Sequence, residues 1–244
     1  DETILGSRFF VMEKLPGRSY VPWSAEGRHF FEQAYEHGEV PRQFVLFLAR
    51  LHQVDYAGLG LTQVLELPPP GTGYIDQKLQ MLEALYEKYR FRPEPIFVDA
   101  LEWLKKNRPS AQKYTLVHGD YRTGNMLYDG YRITGILDWE LVEIGDPMVD
   151  VAYVCAKANR MDSPRLCYLL DREWFLEQYR ELTGLKVDEK TLHYYELYHQ
   201  MRFALISLAA EKAFVSGGSR DLRLARQGYR WPLMCHMIAE LMGY

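Results

Sequence analysis

The chain has 244 residues, 48% of them hydrophobic and 14% aromatic, enough for one large domain or two small ones with a substantial core. Its 29 Lys+Arg against 33 Asp+Glu leave a net charge of -4, which provides no overall field for nucleic acid. The three cysteines, Cys155, Cys167 and Cys235, are far apart, odd in number and lack a C-x-x-C pair, which implies neither a disulfide framework nor a zinc site. No apolar run approaches the roughly 18 residues of a membrane span, and no signal peptide is visible. The reading is a reduced, cytoplasmic chain that engages neither nucleic acid nor membrane.

The opening "DETILGSRFFVMEKLPG" has no initiator methionine, and Arg8 to Leu15 reads as a strand running into a connection, so a preceding segment is expected. After the loop "PGRSYVPW", helices are predicted over 25–37 and 41–54, the second with Phe44, Leu48 and Leu51 at helical spacing. "LELPPPGTGY" is a loop, followed by helices near 75–90 and 94–107, the latter stopped by Pro109. Residues 114–118, 126–129 and 132–138 are short β-prone runs separated by glycine turns, which predicts a small hairpin with one flanking strand. From Asp146 the chain turns helical again, with a break near "RMDSPR" and long patterns over 171–182, 188–215 and 221–242.

Chemistry concentrates in "TLVHGDYRTGNMLYDGYRITGILDWE", residues 115–140. Asp120 follows a buried-looking strand and sits beside Gly119, so its carboxylate emerges at a tight turn and can accept a proton from a substrate hydroxyl. Asn125, five residues later, can coordinate a metal through its amide oxygen. Asp138 ends the next apolar strand, and a hairpin of this length brings it close enough to Asn125 to share a cation. One amide and one carboxylate suffice for Mg²⁺, which keeps water or phosphate oxygens for its remaining positions.

That order of base, amide and second carboxylate is the one used in protein-kinase catalytic loops. Here Gly119 stands where those loops carry arginine, and "DWE" replaces "DFG". "HGDYRTGN", "ILDWE" and "GDPMVDVA" together resemble the aminoglycoside phosphotransferase and choline kinase superfamily. With "FFVMEKLPG", "LARLHQVDYAGLGL" and "MRFALISLAAEKAFVSGG", the chain looks most like the phosphotransferase-like domains that occur alone or fused to acyl-CoA dehydrogenases.

The resemblance implies an α+β fold: the mostly helical C-terminal lobe of a kinase-like protein, with a small β hairpin carrying the catalytic loop. Residues 1–15 would be the last strand of an N-terminal lobe and its hinge, and 16–244 the C-terminal lobe. Within that lobe the catalytic and metal loops fall in 115–150 and the acceptor-binding helices in 151–244. Asp120 would be the base and Arg122 the cation facing the transferred phosphoryl group. Asn125 and Asp138 would hold Mg²⁺, while the main chain at Glu13 and Leu15 would meet the adenine of ATP, with Met12 behind it. A glycine-rich phosphate cover with its lysine and glutamate has no counterpart in these residues, so they are expected to bind ATP poorly by themselves. Whether that lobe was removed or is naturally missing stays open, and a non-catalytic binding module is the competing class.

Other polar residues have structural readings. His118 braces its loop, His52 belongs to a helix, Trp139 is core, and Asp146 and Asp150 serve a helix start. Glu140 is undecided between a metal-bound water and a neighbouring amide. In "LHYYELYHQMRF", Tyr194 or Tyr198 is expected to reach substrate. Residues 151–244 carry 13 Lys+Arg and 11 Asp+Glu, which disfavours a polycationic aminoglycoside acceptor, although an aminoglycoside or choline-type kinase stays as an alternative. A neutral or anionic small molecule bearing a hydroxyl fits better, with a hydroxyacyl thioester as one candidate.

Overall fold

The computed structural model describes residues 2–7 and 9–244. A short helix, α1 (Glu2–Leu5), precedes the segment expected to be a strand. Arg8 lies outside the described residues, and residues 9–15 form no strand. Phe10, Val11 and Met12 are 82, 89 and 75% exposed, so the β-prone composition finds no strand partner among the described residues. The chain docks only at the end of this stretch. The Thr134 hydroxyl donates to the Pro16 carbonyl at 2.6 Å, and Arg18 exchanges two main-chain hydrogen bonds with Tyr128.

Two helices, α2 (Ala25–His37) and α3 (Glu39–Leu51), follow and pack against each other. Ser24 caps α2 by accepting from the Gly27 amide at 3.0 Å, and Gly38, in the left-handed region at φ 80°, ends one helix and starts the next. Phe31, Phe44, Val45 and Leu48 turn inward, and each such side chain contributes about 1.5–3 kcal/mol through burial. After the proline loop come α4 (Gly73–Tyr89) and α5 (Pro95–Lys106), the latter with proline in its first turn.

Four short strands occupy the centre: β1 (Thr115–Val117), β2 (Met126–Asp129), β3 (Arg132–Ile136) and β4 (Glu143–Gly145). β2 and β3 form the expected hairpin, with Met126 opposite Ile136 and a bulge between Leu127 and Tyr128. The flanking strand β1 pairs instead with β4, Thr115 opposite Gly145 and Val117 opposite Glu143, a strand the sequence patterning did not reveal. β3 stops at Ile136, so Asp138 lies beyond the strand rather than at its end.

The remainder is helical: α6 (Met148–Cys155), α7 (Arg172–Thr183), α8 (Glu189–Val215), α9 (Leu222–Gly228) and α10 (Trp231–Met242). α8 is apolar on several faces because it packs against α4, α5, α6, α9 and α10. The single helix expected over 221–242 is two, since Pro232 begins a new first turn at α10. No helix among the described residues is long and apolar enough to cross a membrane.

Candidate active site

Pairing of β1 with β4 and of β2 with β3 brings the ends of the two sheets together around the loop from His118 to Asn125. Gly119 turns that loop at φ +80°, and a Cβ there would stand 2.8 Å from the Leu141 Cβ and 2.9 Å from its carbonyl oxygen. Only glycine satisfies both the backbone and the space, which accounts for the loss of the arginine usual at this point. Tyr121 anchors the loop by donating from its buried hydroxyl to the Phe44 carbonyl at 2.8 Å. The Thr123 hydroxyl does the same to the Cys167 carbonyl at 2.8 Å.

Beneath the loop runs a buried polar chain. The Asp150 carboxylate accepts from the His118 amide at 2.7 Å and the Gly119 amide at 2.8 Å. It also accepts from Nε2 of His52 at 3.2 Å, while the Tyr179 hydroxyl donates to Nδ1 of that ring at 2.6 Å. Burial alone would raise the Asp150 carboxyl; its hydrogen bond to and attraction by His52, with the two amides, outweigh burial and hold it below the usual carboxylate range. Asp146 behaves oppositely: burial pushes it up, although it accepts from the Met148 amide at 2.9 Å and the Tyr195 hydroxyl at 2.9 Å. Asp146, Asp150 and His52 are thus structural, as expected, with Asp150 gripping the loop itself.

His118 is a brace. Its Nδ1 accepts from the Asp120 amide at 3.2 Å, so Nε2 carries the proton and donates to the Leu137 carbonyl at 2.9 Å. The Leu137 amide in turn donates to the Asn125 carbonyl at 2.8 Å. Both peptide groups of Leu137 are therefore tied to the loop, and Asp138 follows directly. Asp138 sits in the left-handed region at φ 66°, exposed, and no donor among the described residues engages its carboxylate. A non-glycine residue in that conformation is costly unless its surroundings impose it.

Asp120 is partly buried. Its Oδ1 accepts from Nε of Arg122 at 3.1 Å and from the Tyr153 hydroxyl; its Oδ2 accepts from Nδ2 of Asn125 at 2.6 Å. The same Nδ2 donates to the Asp120 carbonyl at 3.0 Å, leaving the Asn125 amide oxygen on the opposite side, where no donor among the described residues engages it. Those residues include no cluster of three or more His, Cys, Asp or Glu suited to a metal. What they offer is one free amide oxygen and one free carboxylate, a donor set that fits a Mg²⁺ ion completing its shell with water and phosphate.

Two cavities flank the loop. One of about 440 Å³ opens beside Arg122 and Thr123, faces Arg223, Arg226 and Arg230, has Trp23 at its rim, and contains no acidic lining residue. Arg223 pairs with Asp221 at 2.7 Å, whereas no carboxylate among the described residues pairs with Arg226 or Arg230. The other, about 390 Å³, lies on the Gly119 side between the Lys78–Glu143 ion pair, Glu140 and Tyr198.

Several expected residues sit elsewhere. Tyr194 is core, donating to the Leu104 carbonyl at 3.1 Å, so only Tyr198 of the aromatic pair borders a cavity. Trp139 is 39% exposed rather than core; its indole donates to the Ile136 carbonyl at 2.8 Å and its ring lies 4.7 Å from that of His118. Met12, Glu13 and Leu15 are all exposed, and only Leu15 touches the hairpin, beside Gly135. Two contributors escaped the sequence reading. Tyr153 stands three residues after Asp150, which puts both on one face of α6, and the arginines of "DLRLARQGYR" recur at helical spacing.

Residues 1–202 match the profile of the phosphotransferase enzyme family. The chain belongs to that family. It is 31% identical over 163 residues to acyl-CoA dehydrogenase family member 10 of Mus musculus, covering 64% of this chain and 14% of that protein. It is 30% identical over 156 residues to acyl-CoA dehydrogenase family member 11 of Homo sapiens, covering 63% and 19%. This phosphotransferase-family chain thus spans less than a fifth of the length of these relatives. Among solved structures, a protein assigned as an aminoglycoside phosphotransferase from Ralstonia eutropha aligns with a TM-score of 0.73 at 23% identity, covering 94% of this chain and 71% of that one. The GDP complex of aminoglycoside 2'-phosphotransferase-IIIa aligns with a TM-score of 0.57 at 16% identity, covering 93% and 68%. These likenesses show the fold, a kinase-like phosphotransferase fold of α+β class.

Proposed function

We propose that the protein transfers the γ-phosphoryl group of ATP, with Mg²⁺, to a hydroxyl of a small anionic molecule, for which a hydroxyacyl thioester is the leading candidate. The observation that carries this reading is the Asp120 carboxylate, fixed by three donors, together with two oxygen groups, Asn125 Oδ1 and the Asp138 carboxylate, that no donor among the described residues engages. In this reading Asp120 accepts the proton of the acceptor hydroxyl and Arg122 faces the phosphoryl group. Asn125 and Asp138 would hold Mg²⁺, which supplies charge neutralisation on the phosphates. The main chain near Glu13 and Leu15, with Met12, would receive the adenine.

The charge of the acceptor is argued from the arginine-lined cavity beside Arg122. A polycation there would meet four guanidinium groups, of which Arg226 and Arg230 have no carboxylate partner among the described residues, whereas an anion would find charge-assisted donors. In the full-length protein, transfer from ATP is expected to a hydroxyacyl-CoA and not to kanamycin, choline or neutral sugars. Reversing charge with R226E and R230E should raise KM for the anionic acceptor about tenfold or more, leaving KM for ATP unchanged. Robust kanamycin phosphorylation, or an acceptor KM insensitive to both reversals, contradicts the proposed acceptor class.

A further inference from the structure

Resting on Asp120 as the base, we infer that Tyr153 is a positioning residue for phosphoryl transfer: with Arg122 it occupies Oδ1 of Asp120, leaving Oδ2 to receive the acceptor hydroxyl. A carboxylate has about four lone-pair positions. The Tyr153 hydroxyl and Nε of Arg122 take two on Oδ1, and Nδ2 of Asn125 takes one on Oδ2. One position remains, on Oδ2. The terminal torsion of an aspartate is broad and roughly two-fold when free; donors on both oxygens fix the plane and distinguish them.

Tyr153 suits this task because it is itself held. It is buried on α6, its ring packs edge-on against His199 at 4.9 Å and beside Phe203 at 5.7 Å, and its carbonyl accepts from Nδ2 of Asn159 at 2.7 Å. Burial, and then the neighbouring Asp120 charge, push its phenol far above the ordinary range, so it remains a donor at any working pH. Asp150, one turn earlier, grips the loop amides. One face of α6 therefore places both the backbone of the catalytic loop and the carboxylate that projects from it.

In the transfer step the acceptor O–H bond breaks and its proton passes to Oδ2. The acceptor oxygen bonds to the γ-phosphorus, and the bond from that phosphorus to the β–γ bridging oxygen breaks. The electron pair leaves on ADP. A base rotated away from Oδ2 presentation lies off the line of this exchange, and misplacement of about 1 Å can cost about a hundredfold in rate.

The test is Y153F in the full-length protein, which keeps the ring and removes only the hydroxyl. Turnover (kcat) is expected to fall about ten- to a hundredfold, with KM for ATP and acceptor and the melting temperature unchanged. Unchanged kcat overturns the inference, whether or not the melting temperature falls, since either result assigns the hydroxyl to packing or to no role. F203L, which disturbs the same packing but keeps the hydroxyl, should retain kcat within a few-fold; an equal loss would also overturn it. D120N separates the two readings. Turnover surviving in D120N removes Asp120 as base, whereas an inactive D120N beside a fully active Y153F removes Tyr153 alone.

Discussion

Asp138 shows at a single residue how this site trades local comfort for chemistry. Its φ is 66°, directly after Leu137, whose carbonyl accepts from the His118 ring and whose amide donates to the Asn125 carbonyl, and no donor among the described residues engages its carboxylate. Asp138→Gly should leave stability unchanged or raise it by up to about 1 kcal/mol. It should also lower turnover by about two orders of magnitude and raise the Mg²⁺ concentration needed for half-maximal rate. Denaturation and a Mg²⁺ titration check the two halves, and unchanged Mg²⁺ dependence would remove Asp138 from the metal site. His199 carries a second prediction at this scale. Burial, then the nearby Arg202 charge, lowers it from 6.5 to about 3, and its Nε2 donates to the Val149 carbonyl at 2.8 Å. As pH falls through 6.5 the unfolded chain binds a proton that folded His199 refuses until about 3. Stability therefore declines across that window, by up to about 1.4 kcal/mol per pH unit from this group. Denaturant midpoints from pH 7 to pH 4 should show a slope that His199→Gln flattens.

At the scale of elements, α6 is the organiser. The sequence marks it as a helix with carboxylates at its start, and dipole arguments account for Asp146, which accepts from the Met148 amide. They do not account for Asp150, whose partners are 31 and 32 residues away in the loop, at Gly119 and His118, and 98 residues away at His52, just past the end of α3. Asp150→Asn would turn a donor NH₂ toward amides that need an acceptor and strip His52 of its partner. It should cost about 1–3 kcal/mol at pH 7, the cost of leaving buried donors without an acceptor. The folded carboxyl lies below the ordinary range, so this contribution is complete above that range and is lost as pH falls through the lowered value. The gap between wild type and D150N in thermal denaturation should therefore narrow in acid; a constant gap would contradict the ionic account.

Across the whole molecule, the parts legible in the sequence were those with short-range causes. Helices α2 through α5 appear within a few residues of their predicted bounds because amphipathic spacing, proline and glycine punctuation act locally. The β2–β3 hairpin was legible from its turn, while β4 was not: three residues after an irregular turn carry no period, and they become a strand only because β1 is there to pair. The segment 9–15 failed in the reverse direction, having strand composition and no strand partner among the described residues. Within the site, Asp120, Arg122, Asn125 and Asp138 are close in sequence and the loop gathers them. Tyr153 and the arginines of α9 meet the loop only through packing of α6, α8 and α9, which no spacing rule delivers.

The central claim is that Asp120 takes the acceptor proton during phosphoryl transfer, and the measurement that addresses it is transfer of labelled γ-phosphate from ATP by full-length wild type and D120N. D120N preserves the shape of the side chain and one acceptor oxygen but removes the base. Transfer is expected to be abolished, with the dissociation constant for ATP and Mg²⁺ within a few-fold of wild type. Transfer by D120N at the wild-type rate would contradict the account.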